Sequence, residues 1–127
     1  MSTPVSSPKA AFYRWSDVPR EQVTPTLGRR LVTGERMMVA NVELSRGCIV
    51  PKHAHVHEQI TYVLEGCLRL DVGEDGAESY ELRPGDVIHL PSNVPHAAEA
   101  LEETRVIDFF SPPREDWLNR TDDYLRR

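Results

Sequence analysis

The chain has 127 residues, 39% hydrophobic and 28% charged, with 15 Lys and Arg against 20 Asp and Glu and a formal net charge of −5. That length suits one domain with its own core, and the acidic balance argues against nucleic acid or an anionic membrane surface as the main partner. No apolar run reaches the length of a membrane span and the first residues lack the apolar core of a secretory signal, so the cytoplasm is the expected location.

Residues 1–11, rich in Ser, Pro and Thr, are expected to form a flexible arm ahead of a single domain over residues 12–127. Phe12, Tyr13 and Trp15 suit a barrel-end plug or a subunit interface. Together with an alternating strand at 37–44 they predict a homodimer. Residues 16–21 read as a turn or a single helical turn. From Leu27 onward strands are expected at 29–33, 37–44, 48–50, 60–64, 68–72, 78–82 and 87–90, then one after Pro95-His96-Ala97 and one at 104–110. Pro51 is expected to break the strand at 48–50. Gly34-Glu35, Ser45-Arg46-Gly47, Glu65-Gly66, Gly73–Gly76 and Pro84-Gly85 supply turns. Pro112-Pro113 stops the last strand. Residues 114–119 read as a short helix with Glu115 and Asp116 in its first turn, and residues 122–127 as a loosely packed tail. About nine short strands with regular turn signals and almost no helix predict an antiparallel, all-β sandwich or barrel. Cys48 and Cys67 read as small core residues and not as a disulfide.

Between the strands at 48–50 and 60–64, His53, His55, His57 and Gln59 occupy alternate positions. In an extended strand these four lean toward one face. Three of the chain's 5 histidines fall within this stretch, between apolar flanks. A pocket holding one divalent first-row metal is the expected reading, against the alternative of a polar surface strand with solvated histidines.

Two blocks resemble the motifs of the cupins. The first runs from Gly47 through His53, His55 and Gln59 to Gly66, with Gln59 where many cupins have glutamate. The second runs from Gly85 through Pro91 and Asn93 to His96, with Asn93 where glycine is usual and Ala100 where the pattern often ends in Asn. The resemblance covers most of residues 27–111. It implies a single-domain jelly-roll barrel (a double-stranded β-helix) with a short C-terminal helix. It also implies His53, His55, Gln59 and His96 as ligands of one divalent metal ion: Ni, Zn, Fe or Mn. Glutamine in place of glutamate would leave the full +2 charge on that ion and favour, weakly, an ion content with neutral ligands. His57 is not a ligand in this pattern; it is a substrate-binding candidate, reserve ligand or proton shuttle, or else a solvent-facing rim residue. His89 is expected to be a satisfied histidine of the barrel wall.

In the last strand Val106, Asp108 and Phe110 share a face, and an aspartate there is costly to bury without a partner or a task. This segment resembles the KdgF-type cupins of pectin and alginate catabolism, in which an Asp, a Phe two residues on and an Arg four further line the pocket. Asp108, Phe110 and Arg114 match that spacing. The resemblance implies a metal-dependent enzyme that opens cyclic 4,5-unsaturated uronates to linear 5-keto-4-deoxyuronate. Its substrate would be a small carboxylated sugar, with Asp108 moving protons, Arg114 gripping the carboxylate and Phe110 closing the pocket. A metal-dependent oxygenase or lyase, and a non-catalytic sugar- or metabolite-binding cupin, are the alternatives.

Overall fold

The computed structural model describes residues 8–126, so residues 1–7 of the expected arm and Arg127 lie outside the described residues; residues 8–11 are exposed. A 3-10 turn at Trp15–Asp17 leads into ten strands: β1 (Glu21–Thr24), β2 (Leu27–Thr33), β3 (Met38–Leu44), β4 (Ile49–His53), β5 (Glu58–Glu65), β6 (Leu68–Val72), β7 (Glu78–Leu82), β8 (Val87–Leu90), β9 (His96–Ala100) and β10 (Thr104–Ser111). Two short helices, α1 (Glu115–Leu118) and α2 (Asp123–Arg126), follow. The strands form a six-stranded sheet in the order β1-β2-β3-β10-β5-β8 and a four-stranded sheet in the order β4-β9-β6-β7. The two sheets face each other as a jelly-roll barrel, with every recorded pair antiparallel.

The pleat decides which side chains enter. On β3, Met38, Ala40, Val42 and Leu44 are buried. On β5, Gln59, Thr61 and Val63 point inward, while Ile60, Tyr62 and Leu64 stay at least a third exposed. On β10, Val106, Asp108 and Phe110 point inward between them, and on β6, Leu68, Leu70 and Val72 close the other wall. Each fully buried aliphatic or aromatic side chain contributes about 1.5–3 kcal/mol. Gly66 turns β5 into β6 with φ at +87°, where a Cβ would collide with the Glu103 carbonyl oxygen. Asn93 does at φ +65° what glycine would do more freely, since Asn tolerates the left-handed region better than most residues.

Several expectations need correcting. β1 is an additional strand, pairing with β2 through the Pro25-Thr26 turn. Pro51 does not break β4: the strand runs to His53, with an irregularity of register between Val50 and His53 that absorbs the missing N–H. β4 is also an edge strand, where proline is tolerated. His89 is exposed on β8, outside the barrel, with Nε2 2.7 Å from a Glu58 carboxylate oxygen.

The tail is not loosely packed. Asp122 and Leu125 are buried, and the Asp122 carboxylate accepts hydrogen bonds from Arg29 Nη1 at 2.7 Å and Nη2 at 3.3 Å. Arg29 itself is 1% exposed, lies 4.4 Å over the Trp117 ring and also pairs with Glu21 at 3.2 Å. Arg126 completes the cluster by donating to both Asp122 and Glu21. Breaking a buried pair leaves the surviving charge uncompensated, which typically costs about 3–5 kcal/mol. Asp122→Ala should lose stability on that scale in urea unfolding, whereas Asp123→Ala, an exposed neighbour, should stay within about 0.5 kcal/mol of wild type.

Candidate metal centre

His53 ends β4 and His96 begins β9, and the ladder sets them directly opposite each other. Their ring centroids lie 4.4 Å apart. His55 comes from the connecting segment 54–57, which is not strand, and its ring lies 5.1 Å from that of His96. One ring nitrogen from each of the three lies within 4.8 Å of the others, a group that could hold a metal ion. The convergence does not come from strand parity across 53–59. A loop between the two sheets returns the chain and folds His55 inward.

The tautomers are set by the backbone. Nδ1 of His53 faces the Pro51 carbonyl at 2.8 Å, Nδ1 of His55 faces that of His57 at 2.9 Å, and Nδ1 of His96 faces that of Val94 at 2.9 Å. A carbonyl only accepts, so each Nδ1 carries the proton and each Nε2 keeps a lone pair. Burial holds the imidazoles neutral, pushing His53 down to about 3 and His55 to about 4, and lowering His96. Nε2 of His96 is buried without a partner.

Gln59, inward on β5, completes the donor set. Its Nε2 donates to Thr61 Oγ1 at 2.9 Å, and Thr61 in turn donates to Asp108 Oδ1 at 2.6 Å. This fixes the amide so that Oε1 faces His55 Nε2 at 3.1 Å. With His55 protonated on Nδ1, two lone pairs then oppose each other, an arrangement that a shared cation satisfies. Three imidazole nitrogens and an amide oxygen therefore fit a divalent first-row ion.

The cavity beside this cluster has a volume of about 60 Å³, and His53, Gln59, Thr61 and His96 stand among the apolar side chains of its wall. Asp108 lies on its wall, opposite Thr61 in the β10–β5 ladder. Burial pushes its carboxyl up to about 6, partly offset by the Thr61 hydrogen bond and the nearby Arg114. Phe110 lies 5.9 Å from the His55 ring, and the Arg114 guanidinium stands 5.1 Å over Phe110. Arg114 is buried, with Nε and Nη2 donating to Asp116 at 2.9 and 2.8 Å, while Nη1 has no partner.

His57 stands apart from the three-histidine group. It borders a surface depression with Glu35, Pro113 and Glu115, its Nδ1 buried and unpartnered. Sequence reasoning missed Thr61 and Tyr124. Thr61 was legible, because period two puts it on the face of Gln59 and Val63. Tyr124, which stacks on His53 with centroids 4.3 Å apart, carries no local signal of its place.

Residues 40–110 match the cupin domain family. The structure is similar to KdgF from Halomonas sp., with a TM-score of 0.79 and 31% identity over 86% of this chain and 99% of that one. It is similar to an RmlC-like cupin from Shewanella frigidimarina NCIMB 400, with a TM-score of 0.78 and 30% identity over 86% and 96%. Oxalate decarboxylase OxdC from Bacillus subtilis (strain 168) is 30% identical over 77 residues, or 59% of this chain, which spans 20% of that enzyme's length. A solved structure of the Bacillus subtilis oxalate decarboxylase, which has Mn(II) centres, shares the fold at a TM-score of 0.71 and 23% identity, over 82% of this chain and 30% of that one. Among the described residues no helix is long and apolar enough to cross a membrane.

The shifted groups give opposite trends in the metal-free protein. The buried histidines titrate below their ordinary 6.5, so in that window the unfolded chain binds more protons. Stability should fall as pH drops from about 6.5 toward 4. Asp108 titrates above its ordinary 3.8, so its contribution is full below about 4 and is lost as pH rises through about 6. Removing it should leave the histidine trend unopposed. Urea midpoints of metal-free Asp108→Asn should therefore fall more steeply than wild type between pH 7 and 4; equal slopes would show that Asp108 ionises normally.

Proposed function

The chain belongs to the cupin domain family, and from that membership we propose a metal-dependent enzyme that opens and ketonises cyclic 4,5-unsaturated uronates to linear 5-keto-4-deoxyuronate. The observation that carries this reading is Asp108. It is buried on the cavity wall, and that burial pushes its carboxyl up to about 6, which brings both its acid and its base form close to neutrality. The similarity to Halomonas KdgF over 99% of that chain supports the same assignment.

His53, His55, Gln59 and His96 would hold one divalent ion, Ni, Zn, Fe or Mn. When bound, that ion supplies Lewis-acid polarisation of a substrate oxygen. Asp108 delivers a proton to C4 of the enol ether, and water adds at C5 and returns its proton to the Asp108 carboxylate. The bond from C5 to the ring oxygen then breaks, to leave the C5 ketone and a C1 hydrate that loses water to the aldehyde. Thr61 steadies the Asp108 carboxylate by its 2.6 Å hydrogen bond, and Gln59 holds Thr61 in turn. Arg114 meets the substrate carboxylate through its uncommitted Nη1, its other donors being held by Asp116 and Tyr124. Phe110 and Trp117, edge to face at 5.0 Å, exclude water from that side. His57 serves at the rim, where it borders the surface depression with Glu35 and Glu115.

The likeness to oxalate decarboxylase favours a second reading, a metal-dependent oxygenase or lyase acting on a small carboxylate. A non-catalytic sugar- or metabolite-binding cupin is the third. We further propose a cytoplasmic homodimer. Its surface is not the alternating face of β3, which points into the barrel, but the outer face of the larger sheet. There Ile60, Tyr62, Leu64, Val87 and Phe109 are each more than a third exposed.

Metal-loaded protein should remove the absorbance of 4,5-unsaturated galacturonate faster than the spontaneous rate, and His53→Ala should not. Oxygen uptake coupled to product would select the oxygenase reading instead, and tight binding without chemistry the third. Asp108→Asn should keep its metal and lose about 10²–10⁴ in kcat. Arg114→Ala should raise KM; an unchanged KM would remove it from carboxylate binding. Sedimentation should show a dimer that Tyr62→Lys converts to monomer.

A further inference from the structure

Tyr124 lies in the cavity, yet the mechanism above gives it no task. Its ring stacks on His53, with centroids 4.3 Å apart and planes 23° apart. Its hydroxyl oxygen accepts from Arg114 Nη2 at 3.0 Å and from Trp117 Nε1 at 3.1 Å. A guanidinium and an indole N–H are donors only. Both hydrogen bonds therefore use the oxygen's lone pairs, and among the described residues the phenol's own proton is donated to nothing.

Arg114 presents the matching half. Its side chain is 2% exposed, and Nη1 is buried without a partner. One neutral O–H donor and one cationic N–H donor thus sit on adjoining side chains of the same cavity, neither with an acceptor. Buried donors without acceptors are costly, so the cavity is completed by a ligand that brings acceptors. Asp108, the carboxylate on the cavity wall, already accepts from Thr61 through Oδ1. A ligand carboxylate is planar, offers two oxygens and carries a single charge, which suits one cationic and one neutral donor. Among the described residues that line the cavity, Arg114 is the one Lys or Arg side chain, which matches the single charge of a carboxylate.

We propose that Tyr124 Oη–H and Arg114 Nη1–H form a two-pronged carboxylate site, with Tyr124 the residue that selects a carboxylated ligand over an uncharged sugar of the same ring. This rests on the reading that the cavity takes a small carboxylated sugar. It deepens that reading by assigning specificity to the C-terminal segment. α2 holds the phenol in place because Asp122 and Arg126 on either side are tied to Arg29 and Glu21.

The test uses zinc-loaded protein, with galacturonate and galactose as probes that share a ring and differ at the carboxylate. Calorimetry should show wild type preferring galacturonate. Tyr124→Phe keeps the stacked ring and should weaken galacturonate about tenfold or more, the scale of one hydrogen bond to a charged group, with galactose and zinc content unchanged. A Tyr124→Phe variant with undiminished preference would overturn the assignment while leaving the carboxylated-sugar reading standing. Wild type without any preference would overturn both. Tyr124→Phe also removes an acceptor from Arg114 and Trp117, so a second measurement keeps the phenol: 3-fluorotyrosine installed at position 124 and followed by fluorine NMR. Its resonance should move on adding galacturonate and not galactose; no movement at saturation sinks the proposal.

Discussion

A buried ion pair closes this barrel over its own cavity. Arg29 lies on β2 and Asp122 just before α2, far apart in the chain, and both side chains are fully enclosed. Neither charge is tolerable alone in that setting, so the C-terminal segment is held down wherever Arg29 is buried. Trp117 lies against Arg29, and Tyr124 follows Asp122 by two residues, so the wall of the cavity inherits its position from this one contact. The cost of enclosing two charges is offset by hydrogen bonds from Arg29 and Arg126 to the same carboxylate.

The second constraint is the pleat. A strand that turns an apolar face inward has no choice about what stands next on that face. β5 carries Gln59 and Thr61 inward before Val63, and β10 carries Asp108 between Val106 and Phe110. The ladder sets Thr61 opposite Asp108 and Gln59 opposite Phe110, so the polar side chains gather at one end of an otherwise apolar interior. They satisfy one another in a short chain of hydrogen bonds, and that chain ends on a carboxyl whose burial makes its proton labile near neutrality.

Much of this was legible. The strands at 68–72, 78–82 and 87–90 match β6, β7 and β8 residue for residue, because period two and glycine turns act locally. The inward set of β10 was read from the same rule. What failed depends on distant partners. Residues 21–24 form β1 because β2 offers an edge, and Pro51 stays in a strand because the β9 ladder slips there. His53 and His96 meet across a ladder, whereas His55 enters from a loop whose path no parity rule describes. The tail looked polar and loose, since the partners of Asp122 and Tyr124 lie some 70 to 90 residues earlier in the chain.

β10 is the last strand made and lies in the middle of the larger sheet, between β3 and β5. As the chain leaves the ribosome, that sheet can exist only as two fragments, β1-β2-β3 and β5-β8, each with an open edge and an uncovered apolar face. The nascent protein must carry these edges until residue 111 has emerged, the condition in which strand-to-strand aggregation begins. Synthesis therefore confronts this small barrel with its greatest hazard just before its final strand arrives.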